Sequence, residues 1–408
     1  MRIIVIGGGP AGMFSSGLLA QEGHTVTLIE KNEKLGKKLY ITGKGRCNVT
    51  NDSDRENLIN NIVSNPKFAI GALSKFSPRD TMSFIESMGC PLKVERGNRV
   101  FPVSDKSSDI IKCFEKFIKQ SGVSIHLEET VLSIKKENDL FHVSTQKADY
   151  ESDIVVIATG GVSYPTTGST GDGYKWAREF GHSIVDVRPG LIGLQVDGVE
   201  GLAGLTLKNV QVSAIVNGKE EEFEFGEMLF THHGVSGPVI LSLSSKINKY
   251  YVNKKFNRSI SISIDLKPAL DHDTLDARFI KDLGMKSNMD IKNILTDYMP
   301  KSLIPIYLKQ AKIGENIKGN AITKAQREAL INKIKNMKFN VKNMDNIEQA
   351  IITSGGVNVK DINPKDMQSK LVPGLYFIGE VLDIDALTGG FNIQLALSTA
   401  FALAKSLE

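Results

Sequence analysis

The sequence predicts an α/β protein of the dinucleotide-binding, Rossmann type, its main domain split by an insert that is first β and then helical. Three observations carry the prediction. Residues 2–30 read as strand, glycine turn, helix, strand and acid; an α/β pattern returns after residue 347; and the stretch between runs from short β segments into proline-punctuated helices. At 408 residues the chain has room for two or three ordinary cores of roughly 100–200 residues each.

Arg2 to Ile6 is a β-branched run that ends in the turn Gly7-Gly8-Gly9-Pro10-Ala11-Gly12; an apolar helical stretch then reaches Gln21, and Thr25 to Ile29 is a second strand closed by Glu30. Ile110, Ile111, Phe114, Phe117 and Ile118 recur at helical spacing within 108–120. Ser124 to Leu127 and Ile154 to Ala158 read as strands, the latter entering Thr159-Gly160-Gly161. From Leu191 to Asp265, runs such as Val210 to Val216 and Ser259 to Ile264 indicate a small antiparallel sheet or barrel. Pro268, Pro300 and Pro305 punctuate the helical part, whose clearest helix begins at Thr323. Gly374 to Glu380 is a strand running into a glycine, and a terminal helix spans Gln394 to Leu403.

Composition narrows the class. Hydrophobic residues at 41% and charged residues at 24% describe a folded globular chain, not a disordered or fibrous one. The three cysteines, Cys47, Cys90 and Cys113, form no CxxC pair, so no disulfide framework and no metal site is expected and a reducing cytoplasm is the expected setting. No stretch reaches the ~18 apolar residues of a membrane helix, so no membrane partner is expected.

Gly7, Gly9 and Gly12 form GxGxxG after a strand and at a helix start, where the backbone must approach a pyrophosphate closely and the helix N-terminus faces it with free N–H groups. Glu30 lies 18 residues past Gly12, where a carboxylate accepts from ribose hydroxyls; an acid there favours FAD or NAD over NADP. FAD must be enclosed along its length, and three further glycine turns exist, at 158–161, 168–173 and 389–394. No second GxGxxG follows, so NAD(P)H is expected only as a transient electron donor at the substrate face.

Taken with Thr42-Gly-Lys-Gly-Arg-Cys-Asn-Val-Thr-Asn51, Glu227-Met-Leu-Phe-Thr-His-His-Gly-Val-Ser-Gly-Pro238 and Gly379-Glu-Val-Leu-Asp-Ile-Asp385, these turns closely resemble, over essentially the whole chain, the BaiN/YhiN-like flavoproteins, also called the aminoacetone oxidase family. The resemblance implies FAD and an FAD-binding domain of the two-dinucleotide-reductase type over 1–190 and 347–408. It is interrupted by a β-barrel-like insert over 191–265 and about 335–346, and by a helical insert over 266–334. The cofactor-binding candidates are Gly7, Gly9, Pro10, Ala11, Gly12, Glu30 and Lys31 at the first turn; Gly43, Gly45, Arg46, Cys47 and Asn48 in the second loop; and Val131. Thr159, Gly160, Gly161 and Tyr164 join them, with Gly379, Glu380 and Asp383, and with Gly389, Gly390, Phe391, Asn392 and Ile393 at the last helix start, whose dipole favours negative charge on the flavin.

Two residues are candidate proton donors. Cys47 lies in a loop with Lys44 and Arg46, cations that suit phosphate or a reduced flavin and lower a neighbouring thiol pKa; the other reading is a small buried Cys that packs near the ring. His232 matches the family motif, and the other reading is a histidine satisfied within the insert; on a strand, His232 and His233 would point to opposite faces.

Activities in the family are reduction of conjugated double bonds in oxo-steroids, oxidation of small amines such as aminoacetone, and reduction of a uridine in ribosomal RNA. The expectation here is an FAD-dependent oxidoreductase reducing an activated C=C bond of a small-molecule substrate or of uridine in RNA. A flavin amine oxidase and a non-catalytic RNA-binding flavoprotein are the alternatives. Residues 301–342 hold ten Lys/Arg against two acids, a face suited to RNA or equally a solvated lysine-rich surface.

Overall fold

Strands buried on both faces need no alternation of apolar and polar residues, and the central sheet of the computed structural model is built from such runs apart from its exposed edge strand, Ser124–His126. The structure describes residues Met1–Glu408 apart from the side chain of Lys44, which lies outside the described parts. The chain divides into two compact units, Met1–Gly190 with Ile347–Glu408, and Leu191–Asn346.

In the first unit, β1 (Arg2–Ile6), β2 (Thr25–Ile29), β3 (Ser124–His126), β4 (Ile154–Ile157) and β5 (Leu375–Phe377) form a parallel sheet in the order β5-β4-β1-β2-β3. Ile3 lies opposite Ile154, and Val155 opposite Leu375, so the last part of the chain is paired directly into the sheet begun by the first. The helices of this unit include α1 (Pro10–Gln21), α2 (Lys37–Ile41), α3 (Asp172–Glu179) and α4 (Phe391–Ala404). The last begins three residues before the sequence reading placed it, because Gly390 takes the N-cap. α1 is anchored by Phe14, whose ring meets Phe84 at 4.8 Å and Phe76 at 5.0 Å between centroids.

An antiparallel meander of Val131–Glu137, Leu140–Thr145 and Asp149–Ser152 escaped the sequence reading. Its strands are half exposed and rich in Lys, Glu and Ser, so hydrophobicity marks them weakly. Ile184–Gly190 pairs antiparallel with Ile352–Val357, which joins the two sequence-distant parts of the unit a second time.

The second unit holds a closed barrel of six strands. In barrel order these are Leu194–Val196, Gly234–Ser236, Lys219–Phe230, Thr206–Val216, Ile260–Asp265 and Met337–Met344. Phe230 and Phe339 meet edge to face in its core. Between the fifth and sixth strands lie the helices His272–Met285, Ile304–Ala311 and Lys324–Lys335, the first capped by Asp271 and the last by a Thr323–Gln326 capping box. Buried Tyr307 donates its hydroxyl to the Leu330 carbonyl at 2.5 Å, which fixes two of these helices together. No helix among the described residues is long and apolar enough to cross a membrane.

Candidate functional site

The carboxyl ends of β1, β2, β4 and β5 converge on one edge of the sheet, the place where open α/β sheets bind ligands. Gly7 leaves β1 so close to β4 that an added Cβ would lie 2.5 Å from the Ala158 carbonyl oxygen, and a Cβ on Gly12 would lie 1.9 Å from the Gly7 oxygen. At Gly9 an added Cβ would meet nothing within 4 Å: here the turn faces open space. Pro10 starts α1, and the amides of Ala11 and Gly12 donate to no acceptor among the described residues.

A second helix packs against the turn that touches the start of the first. Gly379, with φ +72°, leaves β5 so near α1 that an added Cβ would stand 3.0 Å from the Ala11 Cβ and 3.7 Å from the Ala396 Cβ of α4. The Gly379 amide donates to the Thr399 hydroxyl at 3.0 Å, which ties that turn to α4. In the first turn of α4 the amides of Asn392 and Ile393 also find no acceptor among the described residues. The Asn392 side chain folds back, accepting from the Ala386 amide at 2.9 Å and donating to the Ala386 oxygen at 2.8 Å. Two helix N-termini with free amides, set against open space at Gly9, suit a long polyanionic cofactor such as FAD.

The remaining candidates divide. Glu30, at the end of β2, accepts from the Gly8 amide at 2.6 Å and from the Asn32 amide and side chain, so it braces the glycine turn. Lys31 is paired with Asp172 of α3 at 2.7 Å. Val131 opens the first strand of the meander. Thr159 has a buried hydroxyl without a partner; Gly160 and Gly161 follow it, and the Tyr164 amide donates to the Glu348 oxygen. Asp383 is nearly buried and accepts from the Asn65 side chain at 2.8 Å; burial raises its pKa.

The loop of Gly43, Gly45, Arg46, Cys47 and Asn48 departs from the sequence reading. Arg46 spends its charge on Glu95 and Asp105, at 2.5 Å each, and lies 4.2 Å over the Phe101 ring; Lys93 takes the other Asp105 oxygen. Those cations hold the Glu95 and Asp105 carboxyls below the usual range, and Arg46 is a closed ion-pair hub here rather than a free anion receptor. Cys47 is fully buried, and burial pushes its thiol up to about 12, which agrees with the buried-packing reading and not with a thiol lowered by neighbouring cations. Asn48 keeps a buried side-chain oxygen without a partner among the described residues.

His232 and His233 belong to the second unit. They sit at the bend between two barrel strands and not on a strand, where the Thr231 amide donates to the Gly234 oxygen, and both are exposed. The His233 backbone oxygen accepts from the Val196 amide at 3.3 Å, but neither imidazole has a hydrogen-bond partner among the described residues, so packing within the insert does not satisfy the His232 side chain.

A model of the HI0933-like protein Rossmann domain matches residues 1–406. The chain belongs to the HI0933-like family. It is an FAD-dependent oxidoreductase. It is 30% identical over 409 residues to a ribosomal RNA dihydrouridine synthase of Escherichia coli, covering 99% of this chain and 97% of that one. A 3-dehydro-bile acid delta(4,6)-reductase of Clostridium scindens is 29% identical over 404 residues, with 98% and 97% covered. The structure of a 3-ketosteroid delta1-dehydrogenase from Sterolibacterium denitrificans has the same fold, at a TM-score of 0.53 and 10% identity, covering 99% of this chain and 98% of that one.

Residues that sequence reasoning passed over hold this HI0933-like site together. Lys38 of α2 bonds both Glu380 oxygens, at 2.9 and 2.7 Å, and the Ser163 hydroxyl at 2.7 Å. Glu380 also accepts from the Thr353 amide, and the Thr353 hydroxyl accepts from the amides of Val162 and Ser163. Four segments distant in sequence thus meet on one ion pair. Asn51 donates to the Gly389 oxygen at 3.0 Å, and Thr50 donates to Gln394 at 2.6 Å, so the second loop clamps the start of α4. The motif residues were visible in the sequence; their partner, α4, lies more than 330 positions away.

Proposed function

We propose that this FAD-dependent oxidoreductase reduces an activated carbon–carbon double bond, in an enone-like small molecule or in a uridine of RNA. The observation that carries the proposal is that two helices with unpartnered N-terminal amides, one from each end of the chain, both pack against the turn at Gly379, α1 through Ala11 and α4 through Ala396. The names of the two relatives support the reaction class: a delta(4,6)-reductase and a dihydrouridine synthase both saturate a double bond.

Once bound and reduced, FAD would supply the hydride that adds to the electron-poor carbon of the double bond. The residues of the chain do the rest. The amides of Ala11 and Gly12 would hold phosphate oxygens, and the amides of Asn392 and Ile393 would face the flavin and favour negative charge there. Glu30 would trade its bond to Asn32 for a ribose hydroxyl, and the Lys38–Glu380 pair would keep the turn at Ser163 and Thr353 in place. His232, exposed and without a partner, is the proposed proton donor to substrate; Cys47, sealed and held protonated, is assigned to packing. The proposed electron donor is NADH or NADPH.

RNA as the substrate has specific support on the second unit. Of the basic residues in 301–342, Lys318, Lys324, Arg327, Lys335 and Lys342 are ion-paired, to Asp290, Glu328, Asp276, Asp265 and Asp197. Lys301, Lys309, Lys312, Lys333 and Lys338 have no acidic partner among the described residues and leave a smaller basic surface than the sequence suggested.

The test is an anaerobic absorbance spectrum of the FAD-loaded chain. Bleaching by NADH or NADPH, then recovery on adding a steroid enone or a uridine-containing RNA, is the expected result and identifies the substrate. A flavin that stays oxidised with both donors, or peroxide release with aminoacetone in a parallel aerobic assay, sinks the reductase reading.

A further inference from the structure

One ionisable group beside α4 is unused by the proposed reaction. Asp385 is 1% exposed; its Oδ1 accepts from the Ser354 hydroxyl at 3.0 Å, the Ser64 side chain also lies close enough to favour its ionised form, and its Oδ2 makes no well-formed hydrogen bond among the described residues. A buried carboxylate with one oxygen unmatched is costly unless it can be protonated. Its backbone is fixed to the helix start: the next residue, Ala386, exchanges both of its hydrogen bonds with the Asn392 side chain in the first turn of α4.

The surroundings of the carboxyl are defined. Ile62–Ser64 pairs with Asp385–Ala386, and Ile352–Val357 and α4 pack against it; none of the three carries a titratable side chain. The charged groups that face it are Asp383 and Glu380, both acids; Arg188, whose Nε has no acceptor among the described residues, acts on Asp383. The buried Tyr174 hydroxyl, likewise without a partner, lies near Glu380 and Asp383.

We propose that Asp385 is the proton acceptor linked to reduction of bound FAD: when two electrons and one proton enter the cofactor, the Asp385 carboxylate takes a second proton from water and becomes a neutral carboxyl. The inference rests on the reading that the N-terminus of α4 faces the flavin. The electrons come from a nicotinamide hydride donor in the proposed reaction and from dithionite in a reductive titration. Burial, with two neighbouring acids, pushes the carboxyl up to about 6, so it is mostly ionised at neutral pH. Negative charge arriving beside it in a low-dielectric interior raises it further, through the range where the proton binds. Asp385 is sealed from the site surface and so acts through the field at the helix start, as a positioning residue.

The test is the pH dependence of the flavin midpoint potential, measured anaerobically with dithionite and indicator dyes from about pH 5 to 8.5, in the wild type and in Asp385→Asn. One extra proton per two electrons changes the equilibrium tenfold per pH unit, so above about pH 6 the wild-type potential falls more steeply than that of Asp385→Asn by about 30 mV per pH unit. Below that the two lines become parallel. Equal slopes throughout, with FAD bound to both proteins, overturn the inference and leave the cofactor reading intact. A wild-type chain that holds no FAD overturns both. Should Asp385→Asn fail to fold, Ser354→Ala decides: removing one of the two serine donors to the ionised form moves the steep region to higher pH, and an unmoved region overturns the inference.

Discussion

Gly379 stands where an added Cβ would lie 3.0 Å from the Cβ of Ala11, so the turn after β5 and the first turn of α1 touch through backbone and a methyl group. The same glycine packs against Ala396 in the second turn of α4, so it lies between the two helices with free N-terminal amides, and its φ of +72° is unsuited to other residues. Gly379→Val is therefore expected to lose FAD and to destabilise the chain by about 1–3 kcal/mol, from backbone strain plus overpacking. Fluorescence titration with FAD and urea unfolding measure the two effects. A variant that binds FAD as the wild type does would falsify the idea that this contact shapes the cradle.

The Lys38–Glu380 pair predicts a different pattern. Its side chains are 20% and 24% exposed, and Glu380 has the Thr353 amide as a further donor, so truncating either partner leaves the other charge half buried. Lys38→Met and Glu380→Gln should each cost about 2 kcal/mol, and the double variant clearly less than the sum of both. Strict additivity in a double-mutant cycle by urea unfolding argues against a shared network.

How much of the site was legible in the sequence depends on the range of each interaction. The turn from Gly7 to Gly12 and its brace at Glu30 lie within one strand–helix–strand unit, and local spacing reveals them. Arg46 read as a free cation because Glu95 and Asp105 lie 49 and 59 residues away. Cys47 read either as activated by its cationic sequence neighbours or as a small buried packing residue, and only the burial of the folded loop chooses the second. The basic run at 301–342 lost half its free charge to acids, four of the five outside the run, that only the barrel and its helices bring near.

Asp385 also predicts a pH effect on the apoprotein. Its folded-state pKa of about 6 lies above the ordinary carboxylate value, so the folded chain binds more protons than the unfolded chain between about pH 4 and 6. Stability from this group falls as pH rises through that window, by about 3 kcal/mol in all, and the penalty persists above it. Asp385→Asn should abolish that contribution: relative to the wild type, the variant gains stability steadily from pH 4 to 6 and then holds a constant advantage. Urea unfolding of both apoproteins across that range checks it, and a difference that does not change with pH contradicts a raised pKa at Asp385.

The two candidate proton donors should separate by access. Cys47 has no exposed surface and a thiol held protonated to about 12, so iodoacetamide at neutral pH should leave it unmodified until the protein unfolds. Cys47→Ala should keep bound FAD and most turnover while losing about 1 kcal/mol of stability to the small cavity. His232 is exposed, so His232→Ala should keep both FAD and stability, within about 0.5 kcal/mol, yet lose turnover. Peptide mapping after alkylation, with turnover of the two variants, distinguishes the roles. Rapid native labelling of Cys47 together with full activity in His232→Ala reverses the assignment, because it would place an accessible thiol where the structure shows a sealed one and leave the imidazole without a task.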